Sequence, residues 1–84
     1  MNRKQRTTLE NLFATPIRRN IKWSDVVSLI GALNGEVIEG SGSRARFDLN
    51  DVSLNIHSPH PRPELKIYQV KAVRDFLTQA GIAQ

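Results

Sequence analysis

The segment Ser43-Arg44-Ala45-Arg46-Phe47-Asp48-Leu49-Asn50-Asp51-Val52-Ser53-Leu54-Asn55-Ile56-His57 decides the fold. Ala45, Phe47 and Leu49 alternate with polar residues, and Val52, Leu54 and Ile56 resume that period of two directly after Asn50-Asp51. Asparagine and aspartate both tolerate positive φ, so the pair suits a two-residue hairpin turn. Such a turn sets Leu49 opposite Val52, Phe47 opposite Leu54 and Ala45 opposite Ile56 on the buried side. By parity the other face carries Asp48 opposite Ser53, Arg46 opposite Asn55 and Arg44 opposite His57. Two guanidinium groups and an imidazole then lie on one water-facing strip.

N-terminal to the hairpin, Val37 and Ile38 form a short strand, and Gly40-Ser41-Gly42 is a flexible turn leading into the alternation. Trp23-Ser24-Asp25 opens a helix. Ser24 is placed to cap it, Asp25 lies near the positive end of the dipole, and Val26, Val27, Leu29, Ile30 and Leu33 share a broad apolar face. Asn34-Gly35 ends it. Gly31, inside the pattern, costs about 1 kcal/mol relative to alanine, which points to close packing against a strand. Trp23 reads as a hydrophobic staple with Val27 rather than a base-stacking platform.

A further helix precedes these. Asn2 with Gln5, and Thr7 with Glu10, both have capping-box spacing, and either pair can start it. Leu9, Leu12 and Phe13 form its narrow stripe, and Thr15-Pro16 stops it. At the other end, Ser58-Pro59-His60-Pro61-Arg62-Pro63 holds three prolines and is a rigid surface loop. The last helix begins between Ile67 and Gln69 and buries Val70, Val73, Phe76, Leu77 and Ala80. Lys71, Arg74 and Thr78 lie on its other faces, and Gly81 is its stop. The order helix, helix, three strands, helix predicts an α+β domain, with a three-stranded antiparallel sheet, helices on one face and the polar face open.

Eighty-four residues without cysteine make one small domain with neither a disulfide nor a thiolate zinc site. An apolar content of 39% with 24% charged residues excludes both a disordered tail and a membrane span. No signal-like apolar stretch follows Met1-Asn2-Arg3-Lys4, so the expected location is the cytoplasm. The net charge of +4 admits an anionic partner, nucleic acid first and an acidic protein second. The charge is uneven: Arg3, Lys4, Arg6, Arg18, Arg19 and Lys22 face only Glu10 in the first 22 residues.

From Trp23 to Gly81 the chain resembles the HicA family of bacterial toxins. The resemblance rests on Gly42-Ser43 with Phe47 in the strand pattern, His60 in the loop, Glu64-Leu65-Lys66 before the last helix, and Gln79-Ala80-Gly81 closing it. It implies a double-stranded-RNA-binding-domain-like fold of order α-α-β-β-β-α, in which the N-terminal helix is extra. The whole of 1–84 is then one domain, with a basic helix and linker at 1–22 and a core at 23–81. The implied function is a toxin-antitoxin toxin that cleaves mRNA without metal or cofactor and is neutralised by a HicB-type antitoxin. One departure stands out. Directly after Gly-Ser, where the family carries its catalytic histidine, this chain has Arg44, which cannot release a proton near neutrality.

Metal-free RNA cleavage needs a base for the 2′-hydroxyl, an acid for the leaving 5′-oxygen and a cation for the phosphorane. Histidine exchanges protons near neutral pH, and the chain holds two, His57 and His60. Expected catalytic residues are therefore His60, His57 and Arg44. Expected RNA contacts are Arg44, Arg46, Arg62, Lys66, Lys71 and Arg74. Each has a plainer alternative: His57 as a solvated strand-end residue, His60 as a turn cap, Arg44 and Arg46 as counterions of Glu36 or Glu39, Lys71 and Arg74 as a solvated helix face. His57-x-x-His60 with Glu64 is not a metal set, because Pro59 and Pro61 deny it helical spacing. Two further functions compete with the toxin, a non-catalytic RNA-binding module and a protein-interaction domain of the same fold.

Overall fold

Asn50 and Asp51 adopt φ of 50° and 65°, the left-handed pair that joins two strands without splaying them. The computed structural model describes residues 1–82, in which β2 (Arg44–Leu49) and β3 (Val52–His57) pair antiparallel about this turn. Leu49 faces Val52, Phe47 faces Leu54, Ala45 faces Ile56 and Arg44 faces His57, the register expected from the alternation. β1 (Glu36–Glu39) pairs antiparallel with the other edge of β2, giving sheet order β1-β2-β3. Asn50 also reaches across the molecule, its side-chain amide donating to the Ala80 carbonyl at 2.8 Å.

Three helices complete the order α-α-β-β-β-α: α1 (Arg3–Leu12), α2 (Trp23–Ala32) and α3 (Ile67–Gln79). Phe47, fully buried, stacks on Trp23 at 5.3 Å between centroids and meets Phe76 at 6.1 Å, joining sheet, α2 and α3. Val26, Leu29, Ile30, Val70, Val73 and Leu77 close the core around it, with Leu12 of α1 also fully buried. α1 lies against α2 and α3. Of its two possible starts, the Asn2–Gln5 capping box is the one formed, with bonds of 2.8 and 2.9 Å. Both later helices end in Schellman pairs. Gly35 and Asn34 donate to Ile30 and Gly31, and Ile82 and Gly81 donate to Leu77 and Thr78.

Three expectations need correction. Ser24 does not cap α2; Lys22 holds the cap position with no side-chain bond, and the Trp23 amide donates instead to the Pro63 carbonyl at 2.9 Å. The helix start is thus pinned by a distant loop rather than by its own hydroxyl. Trp23 packs in the core as expected, but its stacking partner is Phe47 of the sheet. Gly31 is exposed, and a Cβ there would meet nothing within 4 Å. The crowded glycine is Gly35, where a Cβ would lie 2.8 Å from both the Asp48 carbonyl oxygen and the Ile30 side chain.

These two glycines should therefore respond oppositely to alanine. Gly35→Ala should lose about 1–3 kcal/mol through overpacking against backbone, whereas Gly31→Ala should gain up to about 1 kcal/mol of helix propensity. Urea denaturation of both variants measures the difference, and equal effects would deny that Gly35 is the point of close approach.

Candidate functional site

The open face of the sheet carries the polar parity of the hairpin. Arg44, Arg46, Ser53, Asn55 and His57 are exposed there, Asp48 is half-buried, and Ile38 of β1 is 44% exposed beside them. Arg44 and His57 are direct cross-strand partners and border a shallow depression of about 210 Å³ with Asn55. The ladder continues one step past them, since the Ser58 amide donates to the Ser43 carbonyl at 2.8 Å. The buried Gln69 side chain holds the strand end from behind. It donates to the His57 carbonyl at 2.8 Å and accepts from the Lys66 amide at 2.9 Å. The His57 backbone is thereby fixed while its imidazole stays in solvent.

The two arginines of the strip differ. Arg46 donates Nε and an Nη to Asp48 at 3.2 and 3.1 Å, an ion pair along its own strand. It lies opposite Ile38, so neither Glu36 nor Glu39 is its counterion, and no such pairing forms for Arg44 among the described residues. The Arg44 side chain has no hydrogen-bond partner among the described residues. It is the cation left available next to His57. Asp48 is held below the usual aspartate range, chiefly by the Ser53 hydroxyl donating at 2.6 Å; desolvation opposes this and Arg46 adds to it.

His60 does not join Arg44 and His57 in their depression. It lines a separate cleft of about 450 Å³ with Arg19, Pro59, Pro61, Arg62, Glu64, Leu65, Lys66 and Ile67. Arg19 was not among the expected site residues, although the basic bias of the first 22 residues was its signal. It is brought there by a short ladder. The Leu65 amide donates to Ile21 at 2.8 Å, Lys22 and Glu64 form an antiparallel bridge, and Trp23 donates to Pro63.

Arg74, expected to face RNA, is turned toward the N-terminal segment. Its Nε donates to the Leu12 carbonyl at 2.7 Å and an Nη to Ala14 at 3.0 Å, with the guanidinium 6.0 Å from the Phe13 ring centroid. A cation at the carbonyl end of α1 satisfies acceptors that the helix cannot. Lys71 remains exposed on α3. No helix of the described residues is long and apolar enough to cross a membrane.

Helices over one face of a three-stranded antiparallel sheet, with an arginine and histidine paired on the other, define a small α+β domain with an open polar surface. Residues 23–82 match the family model for HicA toxin of bacterial toxin-antitoxin systems, so the chain belongs to the HicA toxin family. Membership brings with it an antitoxin partner in general terms. Comparison with curated proteins and with solved structures gives no match. The first 22 residues, which carry Arg19, lie outside the family match.

Ser53→Ala should move the Asp48 carboxyl up toward its ordinary value, read by carboxyl NMR titration. A carboxylate depressed in the folded state contributes stability that is complete above its unfolded value and is lost as pH falls through the lowered one. The variant should therefore lose less stability on acidification than the parent. An unchanged Asp48 titration would show that the hydroxyl is not the cause.

Proposed function

We propose that the chain is the endoribonuclease toxin of a toxin-antitoxin pair, cleaving mRNA without a metal and neutralised by a HicB-type antitoxin in the cytoplasm. The observation that carries this is Arg44, without a side-chain partner among the described residues, facing His57 across the strands on exposed ground. The proposed unit spans residues 1–84, with 1–22 as a basic helix and linker and 23–81 as the core.

In this reading Arg44 holds the scissile phosphate by its planar donors and offsets the charge that develops on the phosphorane. His57, as neutral imidazole, takes the proton of the ribose 2′-hydroxyl. The 2′-oxygen bonds to phosphorus, the bond from phosphorus to the 5′-oxygen breaks, and that oxygen takes a proton from water, since His60 lines a separate cleft. A 2′,3′-cyclic phosphate and a 5′-hydroxyl result. Arg44 thus takes the phosphate role at the position where the family has its histidine, and the proton role passes to the strand opposite. Arg62, Lys66 and Lys71 contribute positive surface for the RNA backbone, and Arg46 contributes through whatever its bond to Asp48 leaves free.

A second reading follows from the same Arg44. Without the family histidine, the fold can serve as a non-catalytic RNA-binding or protein-interaction domain. Cleavage of a labelled RNA by the purified chain separates the two. His57→Ala should lower the rate about 10²–10⁴-fold, the ordinary worth of a general base, and Arg44→Ala about 10²–10³-fold. Expression of either variant should relieve the growth arrest caused by the parent. Undiminished cleavage by both variants would sink the mechanism, and RNA retention without any cleavage by the parent would favour the binding module.

A further inference from the structure

We propose that the cleft between the N-terminal segment and the proline-rich loop is a second phosphate subsite, in which Arg19, Arg62 and Lys66 grip the backbone of single-stranded RNA apart from the Arg44 and His57 pair. The choice of RNA rests on the ribonuclease reading above, which gives Arg62 and Lys66 only as general positive surface; the cleft and Arg19 are independent of Arg44 and His57.

Three cations face one carboxylate, Glu64, around this cleft. The side chains of Arg19, Arg62 and Lys66 make no hydrogen bond or ion pair among the described residues, unlike Arg46 and Arg74. Like charges gathered at one concavity repel each other, and a bound anion turns that repulsion into attraction. A guanidinium also matches phosphate oxygens in a way that a water shell does not.

The placement of Arg19 is built rather than incidental. Ile21 and Leu65 are both buried, at 4% and 3% exposure, and the backbone ladder between Ile21–Trp23 and Pro63–Leu65 holds the linker alongside the loop. Arg19 sits two residues before that ladder, with Arg62 just before the other strand of it. Prolines on one side keep the opposite wall from relaxing.

The cleft is too large for a bare ion. Its volume of about 450 Å³ falls in the range of small-molecule sites, and Pro59, Pro61 and Ile67 give it apolar walls against which a ribose or base can lie. Two residues, Ser58 and Pro59, lie between His57 and His60, so the three chain steps put their Cα atoms at most about 11 Å apart. One short stretch of RNA thus reaches both places. An acidic protein segment would meet the same charge but would gain less from flat apolar walls, so RNA is the favoured occupant.

The test uses the full chain and a labelled, single-stranded 2′-O-methyl RNA, which has no free 2′-hydroxyl and reports binding without turnover. Arg19→Ala removes an exposed side chain that makes no hydrogen bond or ion pair among the described residues. It should weaken binding about fivefold at low salt and reduce the slope of log affinity against log salt by about 0.7, the value for one phosphate contact on a single strand. Arg19→Lys should keep the slope. Arg18→Ala should change neither quantity, since Arg18 does not line the cleft.

Binding by Arg19→Ala that equals the parent overturns the subsite and leaves the Arg44 and His57 mechanism standing. Equal losses from Arg18→Ala and Arg19→Ala overturn it too, because diffuse charge then suffices. Loss of poly-glutamate binding with RNA binding intact assigns the cleft to an acidic protein and overturns the RNA subsite. Cleavage by His57→Ala bears only on the earlier reading.

Discussion

Burial of Phe47 between Trp23 and Phe76 is the constraint on which the rest of the molecule depends. One aromatic ring ties the middle strand to two helices, and a strand can turn only alternate residues inward. Once Phe47 and its neighbours Ala45 and Leu49 face the helices, Arg44 and Arg46 have nowhere to go but outward. The functional face is therefore a by-product of core packing. A slip of one residue in register would bury both guanidinium groups and expose the ring, which the core could not tolerate.

The structure divides a chain of net charge +4 into cations that hold the protein together and cations that remain open to solvent. Arg74 clamps the end of α1, Lys4 approaches Asp25 at 3.6 Å, and Arg46 answers Asp48. Arg44, Arg19, Arg62 and Lys66 have no such commitments among the described residues. Composition alone treats all of these as one basic surface. Geometry separates them, and the open ones fall into two depressions rather than one.

What could be read from the sequence was what local chemistry decides. The hairpin, its register and the pairing of Arg44 with His57 follow from a period of two and a two-residue turn whose side chains accept positive φ. Both Schellman stops were legible from Asn34-Gly35 and Gly81. The failures are all non-local. Gly31 and Gly35 look alike in sequence, and only the approach of Asp48 tells them apart. Ser24 has the chemistry of a cap, but a carbonyl forty residues away at Pro63 takes the amide that starts the helix. Nothing near Arg74 in the chain signals that its acceptors lie in residues 12–14, and Arg19 gave only a compositional hint of its place at the cleft. The separation of His60 from His57 belongs with these, because a proline-rich loop has no periodicity from which its course can be read.

The ladder joining Ile21–Trp23 to Pro63–Leu65 bears on where this protein can be cut. Sequence kinship begins at residue 23, the last residue on one side of that ladder, and leaves Ile21 and Lys22 outside. A fragment trimmed to the kinship boundary would strip the Leu65 amide of its acceptor, open the apolar seats of Leu12 and Ile21, and release the carbonyls that Arg74 clasps. Descent and packing draw their borders at different places here, and the inherited region leans on a segment that its relatives' shared pattern does not include.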